Sequence, residues 1–382
     1  MRALASLNLQ TDSRYLGELS DVTRRRQIIT HSRRHPARRS DTVALAIRRV
    51  TGRKGSMTVA AARDDNLDPQ IRAFISFLRE KSRQYPTPES LQLSEMRRIA
   101  EEVRQPLTLG GPAVKQIFDY EVLAHDRVIR VRTINTAPGQ EKPALIYLHG
   151  GGWMLFSLDT HDRVMREIAV RADLAVLGIE YSLSPDVRFP TQLNEIRAVL
   201  DWLQAHGKEI GIDTGRMAIG GDSAGANMAV ATCLRLRDEG RPRLIGAMLL
   251  CYGVYDGHFD TDSYYRYQDT RFNLGRDEMQ QYWASYLGDC AEYAAPLASP
   301  LRADLASLPK TFMVIAECDV LYDENVKMAQ KLERSGVEVC YKVYPGTTHS
   351  FLEAVSMAEV SGRALADASD WLGRALDRLN RR

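Results

Sequence analysis

Residues 216–237 hold a strand, a turn and the start of a helix in one string. Arg216-Met217-Ala218-Ile219-Gly220 reads as a buried strand, Gly221-Asp222-Ser223-Ala224-Gly225 as a sharp turn, and 223–237 as a long helical stretch. A serine on so tight a strand-to-helix turn has its hydroxyl pushed out of the fold, and flanking glycines tolerate the crowded backbone. That is the placement of a nucleophile, and it asks the rest of the chain for partners.

The same alternation of strand and helix runs through the chain from Asp68 onward. Ile71, Phe74, Ile75 and Leu78 recur at amphipathic-helix spacing, and Met96, Ile99 and Val103 mark a second helix after the break at Pro86 and Pro88. Ile129 and Val131 alternate with Arg130 and Arg132, the pattern of an exposed-edge strand. Apolar runs of strand length follow at 144–148, 174–179, 217–220, 244–251, 311–316 and 337–343, with helical stretches such as 195–206 and 324–335 between them. The class is α/β, with a mainly parallel central sheet flanked by helices. One connection breaks the rhythm: residues 252–309 are rich in Tyr, Asp and Arg, with a single helix expected near 277–287. Long excursions of this kind build lids and pocket walls, so cap elements are expected at about 68–104 and 257–295.

Charge divides the chain. Residues 1–56 hold thirteen basic residues against four acidic ones, a net +9, while the remaining 38 basic and 45 acidic residues leave −7 behind a total of +2. Arginine pairs and triplets interrupt every short apolar run in 1–56, so that segment is expected to be a disordered or dispensable extension and 57–382 the folded domain. Asp12, Glu18, Asp21 and Asp41 weaken a targeting presequence, and a nucleic-acid or membrane-surface arm is the other alternative. The mildly acidic body argues against nucleic acid as the main partner. Five isolated cysteines, with no CxxC and no metal spacing, point to a reducing, cytoplasmic compartment and to no metal. No apolar run reaches the length of about 18 residues that a membrane span requires.

The chemistry can be assembled from separated segments. His149-Gly150-Gly151-Gly152-Trp153 directly follows the strand at 144–148. Acyl transfer passes through a tetrahedral oxyanion, which fixed amide N–H groups stabilise best. Gly151 and Gly152 are assigned to that hole with Ala224 as third donor, and His149 to ordering the loop by hydrogen bonding. A serine hydroxyl needs a base. His349, on the loop after the last strand, is the assigned base, with His161 and His258 as fallbacks; His31, His35, His125 and His206 sit in the arm, a turn or a polar helix end. The orienting acid must lie between Ser223 and His349, and Asp319 just after the strand at 311–316 fits. Asp323 competes, but a helix start gives it a structural reason to exist. Asp222 adjoins the nucleophile and precedes it, so it is not the triad acid.

Taken together, 149–153, 221–225, 319–324 and 349–351 resemble the hormone-sensitive-lipase family of α/β-hydrolases, and 180–185 with Phe189-Pro190 match its segment between oxyanion loop and nucleophile. Residues 158–163 and 344–349 more narrowly resemble bacterial acetyl esterases of that family. The likeness spans roughly 70–380. It implies a cofactor-free Ser-His-Asp carboxylesterase with a small helical cap and a preference for short acyl chains, from acetyl to about hexanoyl. Two departures stand out. The usual Asp-Tyr-Arg-Leu-Ala-Pro carries Glu180, Ser182 and Ser184 here, and Phe156 occupies a position where members usually place glycine, so that it either narrows the acyl pocket beside Trp153 or packs under the cap. The expected partner is a small-molecule ester, and a homodimer stays open. The same residues would also serve amide or carbamate hydrolysis or acyl transfer, and relatives that lose the base histidine act as binding proteins.

Overall fold

The computed structural model describes residues 66–87, 90–288 and 292–381. The arginine-rich 1–56 lies outside the described residues.

An eight-stranded sheet in the order β1-β2-β4-β3-β5-β6-β7-β8 forms the centre. β1 (Gln116–Ala124) and β2 (Arg127–Asn135) form an antiparallel hairpin, and β2 also runs antiparallel to β4 (Ala175–Ile179). The remaining pairings, through β3 (Lys142–Leu148), β5 (Ile212–Asp222), β6 (Ala247–Cys251), β7 (Lys310–Ala316) and β8 (Val339–Tyr344), are parallel. Every residue of β4 and β6 is buried, which is why these strands read as unbroken apolar runs rather than alternating ones.

Helices flank the sheet. α3 (Asp162–Ala172) packs on α9 (Glu359–Asp377), while α4 (Thr191–His206) packs on α5 (Ala224–Asp238), which lies against β3, β5 and β6. α8 (Tyr322–Arg334) covers β7 and β8.

The expected edge strand is corrected. Ile129 and Val131 belong to β2, inside the sheet, and both are buried. The edge is β1, whose side chains from Gln116 to Asp119 are all exposed, including Phe118. Strand pairing rather than burial holds those residues, so no hydrophobic alternation marks them.

Two helices precede the sheet. α1 (Pro69–Ser82) starts where Asp68 accepts hydrogen bonds from the N–H groups of Gln70 (2.8 Å) and Ile71 (3.2 Å), with proline in the first turn. Its apolar stripe Ile71, Phe74, Ile75 and Leu78 is buried, each side chain contributing about 1.5–3 kcal/mol. Asp68 N–H also donates to Gly346 O at 3.0 Å, fastening α1 to the loop after β8. α2 (Leu93–Thr108) is fastened by Arg97, which donates to Met154 O (3.0 Å), Ser184 O (2.9 Å) and the Asp186 carboxylate (2.6 Å). Between β6 and β7, the expected helix is present as α7 (Arg276–Leu287), preceded by the short α6 (Asp262–Arg266).

Candidate active site

β5 ends at Asp222 and α5 begins at Ala224, leaving Ser223 between them at φ 53°, ψ −118°. Such a backbone costs on the order of 1–3 kcal/mol and persists only where the surroundings impose it. Here the imposition is steric. A Cβ on Gly221 would stand 2.0 Å from Leu148 O, and one on Gly225 only 1.9 Å from the same oxygen. The turn is pressed onto the end of β3, and Ser223 N–H donates to Cys251 O on β6 at 2.9 Å.

His349 reaches Ser223 from the loop after β8. Its Nε2 lies 2.9 Å from Ser223 Oγ and its Nδ1 lies 2.7 Å from Asp319 Oδ2. With Asp319 ionised, Nδ1–H donates to the carboxylate, which leaves Nε2 to accept from the serine hydroxyl. Asp319 is itself held, its Oδ1 accepting Leu321 N–H at 3.0 Å, and Asn273 Nδ2 donates to His349 O at 2.9 Å. Burial disfavours the His349 imidazolium, but the charge and hydrogen bond of Asp319 outweigh it, so its pKa stands above the ordinary histidine value. Asp323 lies elsewhere: in the first turn of α8, its carboxylate accepts Ser263 N–H at 2.8 Å and ties α6 to α8.

The segment 149–152 wraps the Ser223 turn. Gly151 (φ 107°) and Gly152 (φ 59°) take left-handed conformations. A Cβ would meet Leu155 O at 2.2 Å in the first and the Tyr282 ring at 2.3 Å in the second. Among the described residues, the N–H groups of Gly151, Gly152 and Ala224 find no protein acceptor. Gly150 N–H, by contrast, is committed to Asp222 Oδ1 at 3.1 Å, and the same oxygen accepts Tyr147 O–H at 2.7 Å. Asp222 thereby locks this loop to the serine turn. His149 donates through Nδ1 to Gly150 O at 2.7 Å, while its ring stacks on Tyr181 at 4.3 Å. Burial, with the nearby His161 charge, drives its pKa down to about 4 and keeps it neutral.

Neither fallback base is hydrogen-bonded to Ser223, which His349 holds. Buried His161 points Nε2 at Asp222 Oδ1, 3.4 Å away. Burial works against both charges, but each partner's charge prevails: His161 is held above and Asp222 below its ordinary range. His258 is exposed and pairs with Asp260 at 2.6 Å.

Ser223, His349, Gly151 and Gly152 line one cavity of about 670 Å³, ample for a small ligand. Phe156 lines it as well, at φ 71°, a left-handed conformation that glycine adopts more readily than a residue with a Cβ. Trp153 does not line it. Fully buried, it stacks on Tyr286 at 4.2 Å and meets Trp283 edge-on. Sequence reading missed Arg79, Arg104, Glu278 and Tyr282 in the wall, because they stand on α1, α2 and α7 with no local motif to mark them. Among the described residues, no cluster of three His, Cys, Asp or Glu could hold a metal, and no helix is long and apolar enough to cross a membrane.

Comparison with known proteins agrees with this architecture. A family model described as the alpha/beta hydrolase fold matches residues 145–353. The acetyl esterase of Salmonella choleraesuis strain SC-B67 is 37% identical over 227 residues, covering 59% of this chain and 70% of that protein. A thermostable esterase from Pseudomonas putida ECU1011 superposes with a TM-score of 0.76 at 30% identity, over 82% of this chain and 99% of that one. The hyperthermophilic esterase of the archaeon Pyrobaculum calidifontis does so with a TM-score of 0.76 at 27% identity, over 81% and 98%. The chain belongs to the hormone-sensitive-lipase-like family of α/β-hydrolases and is a carboxylic ester hydrolase.

Proposed function

We propose that this hydrolase cleaves short-chain acyl esters, from acetyl to about hexanoyl, through an acyl-enzyme on Ser223. The observation that carries the reading is the unbroken chain from Asp319 Oδ2 through His349 to Ser223 Oγ, at 2.7 and 2.9 Å. Ser223 Oγ attacks the acyl carbon while His349 Nε2 takes its proton, and the oxyanion is met by Gly151, Gly152 and Ala224 N–H. Collapse of the tetrahedral intermediate breaks the ester C–O bond, and the alcohol leaves with the proton from His349. Water then repeats both steps on the acyl-enzyme and frees the acid. Asp319 holds the tautomer and steadies the imidazolium throughout.

The partner is a small-molecule ester, and the domain that acts is 57–382, with α1, α2 and α7 as the cap. A reducing, cytoplasmic setting accords with Cys233, Cys251, Cys318 and Cys340, which are all unpaired. The test is turnover of p-nitrophenyl esters from acetate to dodecanoate by the wild type and by Ser223→Ala. The reading expects a maximum at six carbons or fewer, lost in the variant together with fluorophosphonate labelling. Full activity in Ser223→Ala, or a maximum at twelve carbons, overturns it. Faster turnover of matched amides than of esters favours the amidase alternative.

A further inference from the structure

The cavity over Ser223 is basic on one side. Arg79, Arg83 and Arg104 line it, and Glu278 is the single carboxyl group among the described lining residues. These charges are not equally committed. Arg104 lies 3.0 Å from Glu353 and covers the Phe156 ring at 3.9 Å. Glu278 accepts Gly275 N–H at 2.8 Å as part of the α7 start, and burial pushes its pKa up, toward the neutral acid.

Arg79 has no such commitment. Its Nη2 is shut off from solvent and finds no hydrogen-bond partner among the described residues. Asp269 feels its charge, but that carboxylate is already paired with Arg271 at 2.9 Å. Arg83, the C-cap residue of α1, stands four positions on, so both guanidinium groups belong to one face of the helix end. The helix dipole explains basic residues in a last turn. It does not explain a guanidinium turned into a cavity beside Ile75, Leu78 and Phe156. A donor held out of water without an acceptor is costly, and a carboxylate matches the guanidinium fork with two charge-assisted hydrogen bonds.

We propose that Arg79, seconded by Arg83, is the anchor for an anionic group on the substrate, so that the preferred esters carry a carboxylate away from the scissile bond. This rests on the ester-hydrolase reading of Ser223 and narrows its substrate class. Two matched pairs test it on the whole chain. Mono-p-nitrophenyl adipate against p-nitrophenyl hexanoate varies charge in the acyl arm. 4-Acetoxybenzoate against 4-acetoxybenzamide varies it in the alcohol arm.

In at least one pair the charged ester is expected to have the higher kcat/KM. The charged-to-neutral ratio should fall roughly ten- to a hundredfold in Arg79→Gln and recover in part in Arg79→Lys. Arg83→Gln, at an exposed position, should lower the ratio less. Calorimetric titration with adipate itself gives a readout independent of turnover: saturable binding to the wild type, lost in Arg79→Gln. A protein that turned over neither the charged nor the neutral ester of either pair would undo the esterase reading and leave this titration decisive. A ratio unmoved by Arg79→Gln in both pairs, or adipate binding that survives the substitution unchanged, overturns the anion anchor.

Discussion

At His349 two effects of opposite sign meet. Burial favours the neutral ring, whereas the Asp319 carboxylate 2.7 Å away favours the imidazolium and wins. On the proposed mechanism only neutral His349 can accept the Ser223 proton, so a raised pKa moves the loss of activity to higher pH. The acid limb of kcat/KM on p-nitrophenyl butyrate should have its midpoint above the ordinary histidine value of about 6.5. Asp319→Asn removes the charge that raises it. The midpoint should then move down, and kcat should drop by about 10⁴-fold through loss of the productive tautomer. A pH profile for the two proteins checks both statements, and an unshifted limb would detach Asp319 from His349 in solution. Ser223→Ala should lower kcat by roughly 10⁶-fold, with Asp319→Asn adding little to it, because the members act as a unit.

Elements differ in how visibly they are written. α1 is legible because burial follows helical spacing: Ile71, Phe74, Ile75 and Leu78 all face the core. β1 is not, because its first four residues are exposed and held by pairing to β2. The same distinction separates the parts of the site. Ser223 and the glycines at 151 and 152 are legible because backbone crowding restricts which residues fit, as the 1.9 Å approach at Gly225 illustrates. The cavity wall is not, since Arg79, Glu278 and Tyr282 meet only through the packing of α1 and α7. Trp153 shows the limit of motif reading: its place beside the glycines suggested the pocket, yet its ring is spent on Tyr286. Two alanine substitutions separate crowding from conformational freedom. Gly225→Ala puts a Cβ against Leu148 O and should destabilise the fold by several kcal/mol, of the order of other severe overpacking. Gly362→Ala sits within α9 with open space around the new methyl and should stabilise by about 0.5–1 kcal/mol. Denaturant melts of both variants decide the point, and equal midpoints would refute the steric account of the turn.

The described hydrolase body closes on itself at both ends of its sequence. Asp68 N–H bonds Gly346 O at 3.0 Å, the Gln70 side chain accepts Glu359 N–H at 2.8 Å, and Arg104 lies 3.0 Å from Glu353. α1 and α2 are therefore joined to the region that carries His349 and to the start of α9, and they wall the cavity over Ser223. Stability and turnover should follow these contacts, whereas the +9 of residues 1–56 should govern the overall charge. A chain starting at Met57 is accordingly expected to keep its melting temperature within about 2 °C, the order of the shift from 1 kcal/mol in a domain this size. It should keep kcat/KM on p-nitrophenyl butyrate within about twofold, while its isoelectric point moves to the acidic side. A chain starting after Ser82 loses the buried stripe of α1 and the Arg79 side of the cavity. It should melt many degrees lower and lose most of its turnover. Parallel melts and assays of the three chains carry the test, and a Met57 chain as impaired as the shorter one would show that 57–382 is not a self-sufficient hydrolase.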